Sequence, residues 1–249
     1  MRMRVKFSKH GPIRFIGHLD LMRYFQKVNR RADLPVKYSE GFNPHQLLTF
    51  ALPLSVGMES DGEYLEIQFA QEISAEDVLL RMNAEMHEGI TALTAKILTS
   101  QEKKAMTAVF ACAYEVSFWE EVQGKVLENR IAQYLNQTEI PVEKKTKKGF
   151  TNFNIRPFIY QMKWLSEKKR LFLLLKAGSE NHVKPSLLMS SFLGEMSSFL
   201  GETISQNYGM LRKDIFTSER DDNGLFLVPL ISSKDSEKIY LNENAGFKP

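Results

Sequence analysis

Between Phe7 and Ser60 the chain places three histidines, His10, His18 and His45, among Arg14, Arg23, Arg30 and Arg31, with Asp20 and Glu40 close by. Imidazoles exchange protons near neutral pH, and arginines are fixed cations that grip phosphate or carboxylate. The mixture points to proton transfer or to recognition of an anionic substrate. Gly41-Phe42-Asn43-Pro44-His45 is the sharpest local signal. Glycine admits positive φ, asparagine tolerates left-handed backbone and proline fixes the next φ, so the loop would aim His45 in a defined direction. The alternative is a structured turn whose histidine caps a neighbour. His18 opens a helix, where the dipole disfavours an imidazolium. His18 and His45 are the first candidates for acid–base chemistry, followed by His10 and Glu40. Arg14, Gly41, Phe42 and Asn43 are candidate substrate contacts. No metal site is expected, because intervals of eight and then twenty-seven residues between the histidines match no compact ligand motif.

A second constellation lies downstream. Lys144, Lys145, Lys147 and Lys148 precede Phe150, Phe153, Arg156, Phe158 and Tyr160. Cations for phosphates and rings for bases are what single-stranded nucleic acid requires, although alternate aromatics in a strand are also ordinary core. Lys147, Lys148 and Arg156 join the candidate substrate contacts, Arg156 because a strand residue beside Pro157 belongs on an edge or at a bulge.

Composition sets the bounds. At 249 residues, with 43% hydrophobic and 25% charged side chains, the chain has enough apolar content for a sizeable core. Its single cysteine, Cys112, excludes an internal disulfide and any thiolate-only metal site built from this chain, and its apolar surroundings mark it as a small core residue. The basic N-terminus is not followed by an apolar run, and stretches such as Leu171–Leu175 fall far short of the ~20 residues that span a bilayer, so a cytoplasmic protein without a membrane partner is expected. The net charge of +3 is unevenly spread. Residues 1–45 hold ten Lys/Arg against three acids, residues 59–90 nine acids against one base, and residues 144–170 nine Lys/Arg against one acid. Such blocks suggest a one-sided electrostatic surface, or solvated faces that never meet.

The elements that must position these residues are legible from periodicity. A strand over Arg2–Phe7 resumes at Arg14–Ile16. A helix spans His18–Arg31, with Asp20 in its first turn and arginines in its last. Strands follow at Val36–Tyr38 and Tyr64–Phe69, with a long apolar run at Leu47–Val56 between them. A helix is capped by Ser74 and closed near Gly89, and a strand covers Ile90–Leu98. The second half repeats the order: a strand at Val109–Trp119, a helix at Val122–Leu135, a charged loop at Glu139–Lys148 and a hairpin of Asn152–Leu165 with Arg170–Lys176. A helix at Pro185–Leu200 and a strand at Met210–Ser218 complete it, with an edge strand at Leu225–Ile231. Twice β-α-β-β-α-β implies an α+β protein of two tandem ferredoxin-like modules with antiparallel sheets, residues 1–100 and 107–235, and a tail at 236–249.

The run FSKHGPIRFIGHLDLMRYFQKVNRRADLPVKYSEGFNPHQLLTFALPLSVGMES resembles the opening of the radical-SAM-associated proteins, a domain of unknown function. TNFNIRPFIYQMKWL and LRKDIFTSE look like further landmarks of that family. There the domain is free-standing or joined behind a B12-binding-like radical SAM enzyme. The resemblance implies roles for Arg14, His18, Asp20, Glu40, Gly41, Phe42, Asn43, Pro44 and His45. Gln46-Leu47-Leu48 departs from the family pattern, so no role is carried to the residues after His45. A radical SAM enzyme holds its [4Fe–4S] cluster with three cysteines, so this chain is not the radical enzyme. S-adenosylmethionine and the cluster would belong to a separately encoded partner, and this chain needs no cofactor of its own.

The resulting expectation is an accessory or substrate-binding protein that works with a separate radical SAM enzyme on RNA or an RNA-linked substrate. The alternatives are an RNA-processing or RNA-modifying enzyme using histidine acid–base groups, and a small-molecule-binding or assembly protein.

Overall fold

The computed structural model describes residues 1–119, 123–146, 149–200, 207–232 and 236–241. Strand β1 (Arg2–Lys9) alternates as its sequence demands, with Met3, Val5 and Phe7 fully buried. The chain then turns through a 3-10 helix at Gly11–Phe15 instead of resuming the strand, because Gly11 takes φ +65° and Pro12 enforces the next bend. Helix α1 (His18–Arg31) has its expected limits and buries Leu21, Phe25 and Val28 one helical turn apart. Val36 and Tyr38 form only isolated bridges, and the apolar run after them yields a short strand, β2 (Leu48–Phe50). Strand β3 (Glu59–Gln68), helix α2 (Ala75–Glu85) and strand β4 (Ile90–Leu98) complete the first half. The Ser74 hydroxyl accepts the Asp77 N–H at 3.0 Å, the cap expected of this sequence. Gly89 does not close the helix, whose C-cap is Met86. It sits at φ +92° where the His10 backbone arrives, and a Cβ there would lie 2.6 Å from the His10 carbonyl.

Residues 99–104 lead into a single-turn helix, α3 (Ala105–Ala108), then β5 (Ala111–Phe118) and α4 (Gly124–Leu135). The segment expected as a charged loop is instead strand β6 (Pro141–Thr146), which pairs with β7 (Gly149–Asn154) in a separate two-stranded sheet. Lys147 and Lys148 lie outside the described residues. The single strand expected over Asn152–Leu165 is broken by a 3-10 turn at Arg156–Phe158, after which β8 (Ile159–Leu165) pairs with β9 (Arg170–Lys176). Helix α5 (Pro185–Leu200) has its expected limits. It leads to β10 (Tyr208–Asp221), β11 (Gly224–Pro229) and the two-residue β12 (Ile239–Tyr240), which places a strand pair within the expected tail.

The result is a mixed α+β architecture with one large, mostly antiparallel open sheet in the order β4-β1-β3-β10-β5-β9-β8. Two separate sheets were expected. Instead, a parallel contact of two register positions, Leu211 with Glu59 and Arg212 with Ser60, joins β10 to β3 and makes the strands of both halves continuous. The far end of β3 pairs with β2 instead, Leu48 opposite Ile67 and Phe50 opposite Leu65, so one strand edge serves two neighbours. Gly62 is required at the junction: a Cβ there would lie 2.8 Å from both the Lys213 carbonyl and the Asp214 carboxylate.

Helices α1 and α2 cover Met3, Val5, Phe7, Leu65 and Ile67 of the first half. Helices α4 and α5 cover Cys112, Tyr114, Val116, Leu171, Leu173 and Leu175, while Ala111, Ala113, Leu174, Phe216 and Leu227 form a smaller core. At the junction the polar groups are buried. Arg212 reaches both Glu63 oxygens at 3.0 Å and the Pro53 carbonyl at 3.2 Å, and the Ser60 hydroxyl donates to Glu63 at 2.7 Å. Removing one member leaves the other as a buried unpaired charge, which costs about 3–5 kcal/mol, whereas replacing both by apolar groups of similar volume is close to neutral. Arg212→Met is therefore expected to lower the urea midpoint sharply, and Glu63→Leu/Arg212→Met to recover most of the loss. A double variant as unstable as the single one would show that the pair does not govern the junction.

Candidate functional site

The described residues bring the sequence candidates to different places. His10 and Arg14 gather at the end of β1. The His10 Nε2 lies 3.1 Å from Asp61 and its Nδ1 4.0 Å from Glu59. Arg14 pairs with Glu59 at 3.2 Å, the Gly11 N–H donates to the same oxygen at 2.9 Å, and Lys213 pairs with Asp61. Burial alone would raise the Glu59 carboxyl, but the Gly11 N–H, Arg14 and His10 outweigh it and hold it below the ordinary carboxylate range. Beneath this cluster Lys9 is almost fully buried, donates to the Arg14 and Ile16 carbonyls, and has its ammonium pushed down by burial against the pull of Glu63. Burial likewise raises Glu63; at Arg212 it opposes the charge, but Glu63, Tyr114 and Cys112 outweigh it and hold the guanidinium above its ordinary value. We take the pair as ionised, since arginine keeps its proton in proteins and Glu63 accepts from both Arg212 and Ser60.

The Gly41–His45 loop lies at the other end of β1. Gly41 takes φ +112°. Ser39 closes the loop: its N–H donates to the His45 carbonyl at 2.8 Å, its hydroxyl accepts the His45 N–H at 3.0 Å and contacts the His45 Nδ1 at 2.8 Å. Glu40, Phe42, Asn43 and Pro44 are exposed, Phe42 completely so at 105%. The next residue, Gln46, is buried. It accepts from Asn29 at 2.9 Å and donates to the Gln26 carbonyl and the Tyr38 hydroxyl, which anchors the loop base to α1. His18 packs its ring against Phe50 at 5.3 Å, and Asp20 pairs with Arg23 at 3.0 Å. Since β1 rises about 3.3 Å per residue, the His10 end and the end beside Gln68 are about 25 Å apart, and His10 and His45 do not share a site.

Next to the loop two hollows adjoin, of about 170 and 600 Å³, with Arg2 and Gln68 in the walls of both. His45, Gln46 and Lys104 line the smaller and Lys37 the larger. The sequence reading missed Arg2, Lys37, Gln68 and Lys104. Arg2 and Lys37 had only membership of the first basic block as a signal, and Gln68 and Lys104 had none, because the chain brings the four together from residues 2 to 104.

In the second half Lys144 stands 4.7 Å over the Phe153 ring, and Phe153 stacks on Phe158. The Arg156 Nε donates to the Leu135 carbonyl at 2.8 Å, so its guanidinium caps the end of α4 and is not fully available to a ligand. Among the described residues no group of three or more His, Cys, Asp or Glu side chains is arranged to hold a metal ion.

Two chemical tests follow from burial. Cys112 is fully buried and its thiol is pushed up to about 11. It is expected to resist a thiol reagent at pH 8 in the native protein and to react after unfolding; stoichiometric labelling of folded protein would contradict this placement. The His182 Nδ1 is buried without a hydrogen-bond partner among the described residues. Burial, then Arg212, Lys144 and Lys184, push its imidazole down to about 4 from an ordinary 6.5. The unfolded chain therefore binds more protons between those values, so this histidine makes stability full above pH 6.5 and drains it as pH falls towards 4. Urea midpoints of the native protein should drop across that window more steeply than those of His182→Gln; parallel curves would exclude the effect.

Residues 2–185 match the family described as an uncharacterized protein conserved in bacteria (DUF2344). The matched span includes both ends of β1 and the Gly41–His45 loop, and stops before β10, which carries Arg212 and Lys213. No curated protein matches the chain. With the match covering well over half of its length, the chain belongs to the DUF2344 family of uncharacterized proteins conserved in bacteria.

Proposed function

We propose that this protein is an accessory, substrate-binding protein that works with a separately encoded radical SAM enzyme on RNA or an RNA-linked substrate. The observation that carries the reading is the Gly41–His45 loop, pinned at its base by Ser39 and Gln46 yet presenting a fully exposed Phe42. A large ring held in solvent on an ordered loop favours recognition, because little conformational freedom is left to lose on binding. The histidines favour binding over catalysis for a related reason. His45 is engaged by Ser39, His10 by Asp61 and His18 by Phe50, and none of the three faces another across a space for a substrate.

The strand order supports the same reading by analogy. Counting β1–β4 in the first half and, leaving out the β6–β7 hairpin and the added β11 and β12, β5, β8, β9 and β10 in the second, the fourth, first, third and second strands lie side by side, as in a ferredoxin-like unit. We read the halves as two such units fused along β3 and β10, an architecture that commonly hosts RNA, although fold alone assigns no function. RNA would not lie on the open sheet face of the first half. Tyr64 there is buried against Asp214 at 2.6 Å, and Arg4 is bound to Glu66, Leu230 and Lys103, so no ring is available for stacking. The loop and the groove beside it are the better surfaces.

The test has two arms. Sedimentation of a mixture with the radical SAM enzyme of the same organism should show a complex that Phe42→Ala weakens at least tenfold, with the melting temperature unchanged. Binding of single-stranded RNA should fall with salt at a log–log slope of about −0.7 for each phosphate neutralised. No complex together with salt-insensitive or absent RNA binding would leave the small-molecule alternative in its place.

A further inference from the structure

We infer that the double groove beside the Gly41–His45 loop is a binding site for a nucleoside phosphate group, carried by a free nucleotide or by the phosphorylated end of an RNA. This rests on the substrate-binding reading above for the RNA source, but the site is argued from its own walls.

Charge decides the ligand class. Arg2, Lys37 and Lys104 contribute three cations to the groove, and His45 adds an imidazole at its rim. The one carboxylate in the walls, Glu66, is buried and already takes two hydrogen bonds from Arg4, at 2.7 and 3.1 Å. Its charge is therefore spent inside the sheet, on a partner that is not in the groove. Arg2 is the fixed element. It donates one guanidinium nitrogen to the Thr99 carbonyl at 3.2 Å and to the Glu102 carbonyl, which orients the group without neutralising it. An arginine held by carbonyls and half exposed keeps its remaining donors for a planar or tetrahedral oxyanion. Lys37 and Lys104 are exposed and bring one point charge to the larger and one to the smaller hollow.

Size and polarity narrow the class. The larger hollow, about 600 Å³, falls in the range that holds a small-molecule ligand, and the smaller, about 170 Å³, suits a phosphate with its first shell of contacts. Thr49 and Gln68 supply neutral donors and acceptors of the kind that read a ribose or a base edge, while Gln46 is spent on holding the loop base. Apolar side chains, Phe69, Ala70 and Leu98 in the larger hollow and Leu47 and Leu48 in the smaller, share the walls with these polar groups, as a ligand that joins a base to a phosphate requires. The carboxylates of the His10 cluster lie at the opposite end of β1 and do not oppose an anion here.

The experiment uses the full chain and a short RNA with a 3′ dye, supplied with either a 5′-phosphate or a 5′-hydroxyl, with anisotropy as the readout. The phosphorylated probe is expected to bind at least tenfold more tightly. Lys37→Ala and Lys104→Ala should each weaken it about fivefold to tenfold and reduce the salt slope by about 0.7. Both positions are exposed, so melting curves should be unchanged; if either variant unfolds, Lys37→Gln and Lys104→Gln replace it. Competition by AMP or ADP identifies a free nucleotide as the source, and failure to compete while the phosphorylated RNA binds identifies the RNA end. Equal binding of the two probes, or silent lysine variants, overturns the groove. If Phe42→Ala still weakens the enzyme complex in that case, the accessory reading stands without it. Phosphate-dependent binding with no enzyme complex has the opposite meaning: the groove stands and the accessory role falls.

Discussion

The structure depends on a carboxylate and a guanidinium buried together, Glu63 on β3 and Arg212 on β10, separated by 149 residues of chain. Bringing two charges out of water costs several kcal/mol each, and only good geometry with additional hydrogen bonds recovers it. Here Arg212 meets both carboxylate oxygens, Ser60 adds a third bond, and Lys9 stands close enough to pull on the same carboxyl. Such a pair is poor at adding stability and good at choosing an arrangement. The backbone contact between the halves is short and parallel, and by itself it specifies little. With the pair in place, a shift of β10 by one residue would turn Arg212 to the other face and strand Glu63 in the core. Without it, β3 would carry an unprotected edge beyond the reach of β2.

The same economy governs the surface. The basic N-terminal block and the acidic block after it form adjacent strands, and their charges cancel across β1, β3 and β10. Arg4 meets Glu66, Lys6 meets Asp214, Arg14 meets Glu59 and Lys213 meets Asp61. On the helices Arg23 meets Asp20 and Arg31 meets Glu85. A count of basic residues therefore overstates the cationic surface of this protein. The cations of the groove are those whose sequence position puts them beyond the acidic strand, at its end or in the connection after β4.

Much of the helical framework was legible because its signals are local. Leu21, Phe25 and Val28 fix the buried stripe of α1, Ser74 starts α2 and Pro185 starts α5, and each acts within one or two turns of itself. Strand β6 was not legible, because among the described side chains of PVEKKT and its approach Ile140 and Val142 alone are buried, and such a hairpin has no apolar run to announce it. The fusion of the two halves was invisible for a different reason. Glu63 in an acidic run and Arg212 in LRKD look like surface charges, and nothing short of the pairing of β3 with β10 tells a reader that they are core. The site shows the same division. The loop from Gly41 to His45 stood out through its residue types, whereas Arg2, Lys37 and Lys104 acquire meaning only once the sheet assembles them.

The histidines sharpen the functional argument. A histidine acting in acid–base chemistry needs one ring nitrogen oriented by the protein and the other facing a reacting atom. The His45 Nδ1 is oriented by Ser39, so the first condition holds at the rim of the groove. Among the described residues the same hollow offers the cations Arg2 and Lys104, the neutral Thr49 and Gln68, and a Glu66 already bound to Arg4, but no second imidazole. A lone oriented imidazole beside fixed cations is equipped to donate a hydrogen bond to a bound oxyanion and has no partner to complete a proton relay. The motif that most suggests catalysis in the sequence is thus, in its folded setting, better suited to holding a phosphate than to cleaving one.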